Sequence, residues 1–136
     1  MIERLVIDDG SRDRTSEIAA QHNVEHIIKF SKNRGLARAF MAGIEGALEA
    51  GADFIVNTDA DNQYCADDIK TLLMPIISGD AEIVVGARPI NSISHFSPIK
   101  KYLQRIGSWV VRLVSGTKID DAPSGFRAFS AAAAMK

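Results

Sequence analysis

Short apolar runs that end in polar or acidic clusters, separated by helix-patterned stretches, constrain this chain more than any other feature. Leu5-Val6-Ile7 runs into Asp8-Asp9-Gly10-Ser11, a turn-forming cluster. Ser11 or Asp13 can cap a helix lasting to about Asn23, with Ile18 and Ala19 on its inner side. Val24 to Phe30 reads as a second strand, broken by Asn33-Arg34-Gly35. The next helix is the clearest, because Leu36, Ala39, Phe40, Gly43, Ile44, Ala47 and Leu48 keep the three-and-four spacing of one face. Gly51 stands where a C-terminal cap belongs. Phe54-Ile55-Val56 is a third strand, running into Asn57-Thr58-Asp59-Ala60-Asp61. A helix from about Asp67 to Ile77 has Asp67 and Asp68 in its first turn, where carboxylates favour the helix dipole. Ala81 to Gly86 is another strand, closed by Arg88-Pro89.

Strands alternating with helices predict an α/β fold, a Rossmann-like, mostly parallel sheet with helices on both faces. In such sheets ligands bind beyond the carboxyl ends of the strands. Three strands here end in chemically capable residues, namely Asp8-Asp9, Asp59-Ala60-Asp61 and Arg88. The 136 residues suffice for a single domain, 1–136, and not for two. Both ends read as cut: a strand begins directly after Met1, and Ser130 to Lys136 reads as the first turns of a helix that stops before it can pack.

Composition narrows the partners. With 16 basic and 17 acidic side chains the net charge is −1, which gives no electrostatic case for nucleic acid. No apolar run approaches the roughly 20 residues needed to span a bilayer, and the opening strand leaves no room for a signal peptide. The single cysteine, Cys65, cannot form an internal disulfide, lacks a basic or histidine neighbour in sequence, and does not read as a nucleophile. His22, His26 and His95 lack metal-site spacing.

Asp59 and Asp61 stand two positions apart at a strand end, so extended backbone would turn both carboxylates to one side. A magnesium or manganese ion between them would relieve their repulsion and leave coordination sites for phosphate oxygens, with Gln63 as a further oxygen donor. The alternative is a solvated acidic loop. Asp8 and Asp9 can accept hydrogen bonds from a nucleotide, with Gly10 allowing close backbone approach; the alternative is a plain turn and helix cap. From Pro98 to about Ser115 a basic amphipathic helix interleaves Lys100, Lys101, Arg105 and Arg112 with apolar residues that include Trp109. It reads as a solvated face, a phosphate-binding element or a membrane-surface helix.

Taken in order, Val6-Ile7-Asp8-Asp9-Gly10-Ser11-Arg12-Asp13, Asn33-Arg34-Gly35-Leu36-Ala37, Asp59-Ala60-Asp61-Asn62-Gln63, Val85-Gly86-Ala87-Arg88 and Asp121-Ala122-Pro123-Ser124-Gly125-Phe126-Arg127 resemble the family-two glycosyltransferases of GT-A fold. The Asp-x-Asp-x-Gln and Ser-Gly-Phe-Arg segments look most like the dolichyl- and polyprenyl-phosphate sugar transferases. The resemblance implies an inverting, metal-dependent hexosyltransferase that uses a nucleotide diphosphate sugar and a polyprenyl phosphate acceptor. It puts Asp8, Asp9 and Asp59 at the nucleotide sugar, Asp59, Asp61 and Gln63 at a divalent metal (magnesium or manganese), and Arg88, Lys101, Arg105 and Ser108 at the acceptor phosphate. Asp121 would face the reaction centre, with Arg88 and Arg127 supporting catalysis. It also implies a place at the cytoplasmic face of a membrane and a role in building the cell envelope.

The resemblance further implies that a strand and a Pro-x-x-Asn-Glu-like base-binding segment precede Met1, so the chain is expected to be partial, with a gap inside its sheet and poor activity alone. The alternatives are a non-catalytic nucleotide-sugar-binding module, or a transferase acting on a saccharide hydroxyl in polysaccharide synthesis. A sugar-phosphate nucleotidyltransferase is disfavoured by the Ser-Gly-Phe-Arg segment. A dinucleotide-binding oxidoreductase is disfavoured because no Gly-x-Gly-x-x-Gly follows the first strand.

Overall fold

A computed structural model of the chain describes residues 1–87 and 124–136. The chain divides into two compact units, residues 1–55 and 56–136, with the division falling inside the third strand. Arg88, His95, Lys101, Arg105, Ser108, Trp109, Asp121 and the expected basic helix lie outside the described residues.

In the first unit β1 (Leu5–Asp8) pairs in parallel with β2 (His26–Lys29), in a register that sets Leu5 against His26 and Asp8 against Lys29. Helix α1 (Thr15–Gln21) connects them. The expected inner side of α1 is only half right, since Ile18 is exposed and Ala19 is partly covered. Helix α2 (Leu36–Glu49) packs on both strands. Its apolar face behaves as its spacing predicts from Ala39 to Leu48, with Ile44 buried, whereas Leu36 at the first turn stays exposed. Two glycines bring this helix close to the strands. A Cβ at Gly46 would come within 2.8 Å of Ile28 Cδ1, and one at Gly43 would touch Ile7 at 3.4 Å. Beyond α2, Gly51 takes a positive φ of 81° and ends the helix as expected.

Strand β3 (Phe54–Asn57), whose second half opens the second unit, forms a sheet with β4 (Ile83–Val85) and β5 (Arg127–Ser130) in the order β3-β5-β4. Strand β4 runs antiparallel to β5, with Ile83 opposite Phe129 and Val85 opposite Arg127. Helix α3 (Asp68–Ile77) packs on β4 and β5. Its Leu72 and Ile76 form a buried cluster with Phe126 and Ala128, joined by Val56, Tyr64, Ile69, Leu73 and Val84. Burying a side chain the size of Leu or Phe contributes about 1.5–3 kcal/mol, so this cluster anchors the segment 124–130. Helix α4 (Ala131–Ala134) is capped by Ser130, whose side chain accepts from the Ala133 amide at 3.1 Å.

One feature departs from the expectation: strand β5 is an additional strand, antiparallel to β4, in a place where the sequence suggests only a motif. The described strands form two sheets, β1-β2 and β3-β5-β4.

Candidate active site

Strand β1 ends on a buried carboxylate. Asp8 is 1% exposed, a burial tolerable for a charge only where hydrogen bonds replace water. Its Oδ1 accepts the Ser11 amide at 2.7 Å, its Oδ2 accepts the Ser16 hydroxyl, and Lys29 Nζ stands 3.7 Å away. The Ser16 hydroxyl, followed by Ser11, holds the Asp8 carboxyl down at about 2. Asp9 spans to the next loop, accepting the amides of Arg34 at 2.6 Å and Gly35 at 2.9 Å. Those amides lead into α2, where the positive end of the helix dipole favours a carboxylate. Gly10, at φ 76°, makes room for protein and not only for a ligand: a Cβ there would collide with the backbone of Lys32 and lie 2.5 Å from Asn33 N. Arg34 in the same loop lies over the Phe30 ring at 4.9 Å. Thus both acidic residues of the first turn are engaged in shaping the loops around them.

The depressed Asp8 carboxyl has a consequence for acid stability. A carboxylate whose folded pKa lies below its unfolded value near 3.9 stabilises the fold above that unfolded value. That contribution is lost as pH falls through about 2. Urea unfolding measured between pH 6 and pH 2 is therefore expected to show declining stability below about pH 4. The variant Asp8→Asn should have a shallower decline, and a lower plateau at pH 6. Glu25, also held at about 2 by Arg4, adds to the same limb but is solvent-exposed, so added salt should weaken its share.

The second acidic cluster differs in nearly every respect. Strand β3 stops at Asn57, and residues 60–62 turn, with Asn62 at a positive φ of 60°. The extended geometry expected for Asp59 and Asp61 is replaced by a turn in which Asp61 Oδ1 accepts the Gln63 amide at 3.1 Å. Asp59, Asp61 and Gln63 are all exposed. Among the described residues the Asp59 carboxylate has no hydrogen-bond or ion-pair partner, and no cluster of three or more His, Cys, Asp or Glu side chains forms a metal cage. Two exposed carboxylates and an amide oxygen suit a hard cation that completes its shell with water and phosphate.

This turn is fastened to the segment 124–127. Asn57 Nδ2 donates to the Gly125 carbonyl at 2.7 Å, and the Gly125 amide donates to the Tyr64 hydroxyl at 3.1 Å. The Tyr64 ring stacks on Phe126 at 4.9 Å and 26°. Fully buried Ser124 accepts the Phe126 amide at 3.2 Å, and Arg127 Nε donates to the Ser124 carbonyl at 2.8 Å. Gly125 itself lies flat against the Asp59 carboxylate: a Cβ there would overlap Oδ2 and fall 2.8 Å from Oδ1. Two motifs far apart in sequence thereby become one structure, and Asn57 and Tyr64, which sequence patterns leave unremarked, make the join. The signal for them is positional only, a polar residue and a phenol flanking an acidic turn.

An open groove of about 460 Å³, lined by Leu5, Glu25, His26, Ile28, Gly46 and Glu49, contains none of the candidate residues. Cys65 is exposed beside the acidic turn. No described helix is long and apolar enough to cross a membrane.

In α/β folds ligands bind beyond the carboxyl ends of the strands, and both acidic turns follow strand ends here. The profile of glycosyl transferase family 2 matches residues 2–136, and the chain belongs to that family, whose fold is GT-A. Among curated relatives it is 34% identical, over 95% of this chain, to the UDP-N-acetylglucosamine–dolichyl-phosphate N-acetylglucosaminyltransferase of Methanococcus voltae. It is 30% identical over 93% of its length to the undecaprenyl-phosphate mannosyltransferase of Micrococcus luteus. It is 28% identical over 92% to the polyprenol monophosphomannose synthase of Mycolicibacterium smegmatis. The chain spans 59%, 54% and 49% of these three relatives, respectively.

Proposed function

We propose that this chain carries the donor-binding part of an inverting glycosyltransferase that moves a sugar from a nucleotide diphosphate sugar to a polyprenyl phosphate. The observation that carries this reading is the acidic turn seated on Gly125, with Asp59 and Asp61 exposed and the Asp59 carboxylate unpaired among the described residues. The lipid-phosphate acceptor is supported by the relatives, whose names specify dolichyl, undecaprenyl and polyprenol substrates.

Asp59 and Asp61, with Gln63, would hold magnesium or manganese. That ion, when bound, supplies positive charge against the diphosphate. Asp8 and Asp9 are assigned to the nucleotide: buried Asp8 acts through the loop it holds, while partly exposed Asp9 keeps acceptor capacity beyond the two amides it binds. Arg127 holds the Ser124 carbonyl and so stiffens the floor of the site. Arg88, with Lys101, Arg105 and Ser108, is assigned to the acceptor phosphate, and Asp121 to the reaction centre. An acceptor phosphate oxygen forms the new bond to the anomeric carbon as the bond from that carbon to the diphosphate breaks, the nucleoside diphosphate leaving with the electron pair. In-line displacement inverts the anomeric centre. An anionic phosphate needs no base; a hydroxyl acceptor would need Asp121 to take its proton. A lipid phosphate acceptor places the reaction at a membrane surface, assigned here to the cytoplasmic face, and its glycolipid product suits cell-envelope assembly.

The test is an assay of the full-length gene product with a panel of nucleotide sugars and polyprenyl phosphate, with magnesium or manganese and then with chelator. Metal-dependent glycolipid formation is expected. Nucleotide binding with no product on lipid phosphate, saccharide or protein acceptors would overturn the reading in favour of a binding module.

A further inference from the structure

Gly125 is held at both flanking peptide groups by the two ends of the acidic turn. Its carbonyl accepts from Asn57 Nδ2 at 2.7 Å, and its amide donates to Tyr64 Oη at 3.1 Å. Asn57 precedes Asp59 and Tyr64 follows Asp61, so the turn is closed on the same residue at entry and exit. Between these two bonds the Gly125 Cα lies against the Asp59 carboxylate, so close that a Cβ would also fall within 2.6 Å of Asp59 Cγ. Gly125 is thus a backstop for a carboxylate that has no hydrogen-bond partner of its own among the described residues.

The Tyr64 ring does not need its hydroxyl to stay in place. Stacking on Phe126 and packing against the Leu72–Ile76 cluster hold the ring. The hydroxyl, which also lies 3.4 Å from Ser124 Oγ, is therefore directed at the segment 124–125 and not needed to hold the ring. We propose that Tyr64 and Asn57 are positioning residues which, through Gly125, orient Asp59 for cation binding. The proposal rests on the reading of Asp59 and Asp61 as a cation pair. A group that orients a metal ligand without touching the metal typically changes metal affinity by about 10–100-fold when removed.

Tyr64→Phe tests this, because it keeps the stacked ring and deletes only the hydroxyl. In the full-length gene product, manganese(II) is titrated by electron paramagnetic resonance in the presence of UDP or GDP, against the parent and Asp59→Asn. Amide hydrogen exchange at Gly125 is measured in the metal-free protein. Tyr64→Phe is expected to bind manganese about 10-fold or more weakly. Its Gly125 amide should exchange roughly 3- to 10-fold faster, as loss of one hydrogen bond implies. The melting temperature should stay within a few degrees of the parent. Asn57→Ala should weaken manganese binding in the same direction.

If Asp59→Asn weakens manganese binding while Tyr64→Phe leaves it unchanged, the cation pair stands and the positioning role falls. An unchanged exchange rate at Gly125 would overturn the clamp as well. If Asp59→Asn leaves manganese binding intact, the cation reading itself fails and this proposal falls with it.

Discussion

Replacing Asp59 or Asp61 with asparagine is expected to lower sugar transfer by the full-length gene product about 1,000-fold, equivalent to about 4 kcal/mol of transition-state stabilisation. The reason is charge. Departure of a nucleoside diphosphate builds negative charge that a carboxylate-held cation neutralises, and asparagine keeps the shape of the ligand while removing half the attraction. Both residues are exposed and stand in a turn outside the buried cluster, so neither substitution should disturb folding. The check is kcat/KM in manganese alongside the melting temperature. A loss of activity with an unchanged melting temperature assigns the carboxylates to chemistry, whereas full activity in either variant removes that residue from the metal-binding role.

Gly125→Ala carries the next largest effect, about 10- to 100-fold on transfer, with little change in stability. The backbone of Gly125 is not at a positive φ, so alanine meets no conformational penalty there. What the new methyl meets is the Asp59 carboxylate, the mobile end of an exposed side chain. That carboxylate can swing away at small cost in folding energy and then no longer stands where the cation needs it. Gly10 is the instructive contrast. It has a positive φ and a rigid backbone, that of Lys32 and Asn33, directly over its Cα, so relief would require moving a loop. Transfer kinetics and thermal melting of Gly125→Ala decide the matter. Parent-like kcat/KM would show that Asp59 does not depend on the glycine behind it.

The alternating elements were legible in the sequence because each signal for them is local. The face of α2 repeats at helical spacing, Gly51 ends that helix at a positive φ, and strands β1 to β4 are apolar runs bounded by turn formers. Sequence motifs likewise marked the acidic residues of both turns and the family to which the chain belongs. Boundaries drifted where tertiary contacts set them: Ile18 and Leu36 fit an inward-facing pattern and are nonetheless exposed. Strand β5 was not legible at all. Arg-Ala-Phe-Ser has no β-branched residue and leads into an alanine run, so its extended form comes from pairing with β4 and from burying Phe126 and Ala128 beneath α3.

The two acidic pairs look alike as sequence, and only folding separates them. Asp8 is buried and hydrogen-bonded, and Asp9 is bonded to the amides before α2, while Asp59 and Asp61 are left exposed beside Gly125. The chain order therefore determined which residue types stand at the strand ends. Tertiary structure decided which carboxylates hold loops and which stand exposed, because that depends on amides and hydroxyls brought near from elsewhere in the chain.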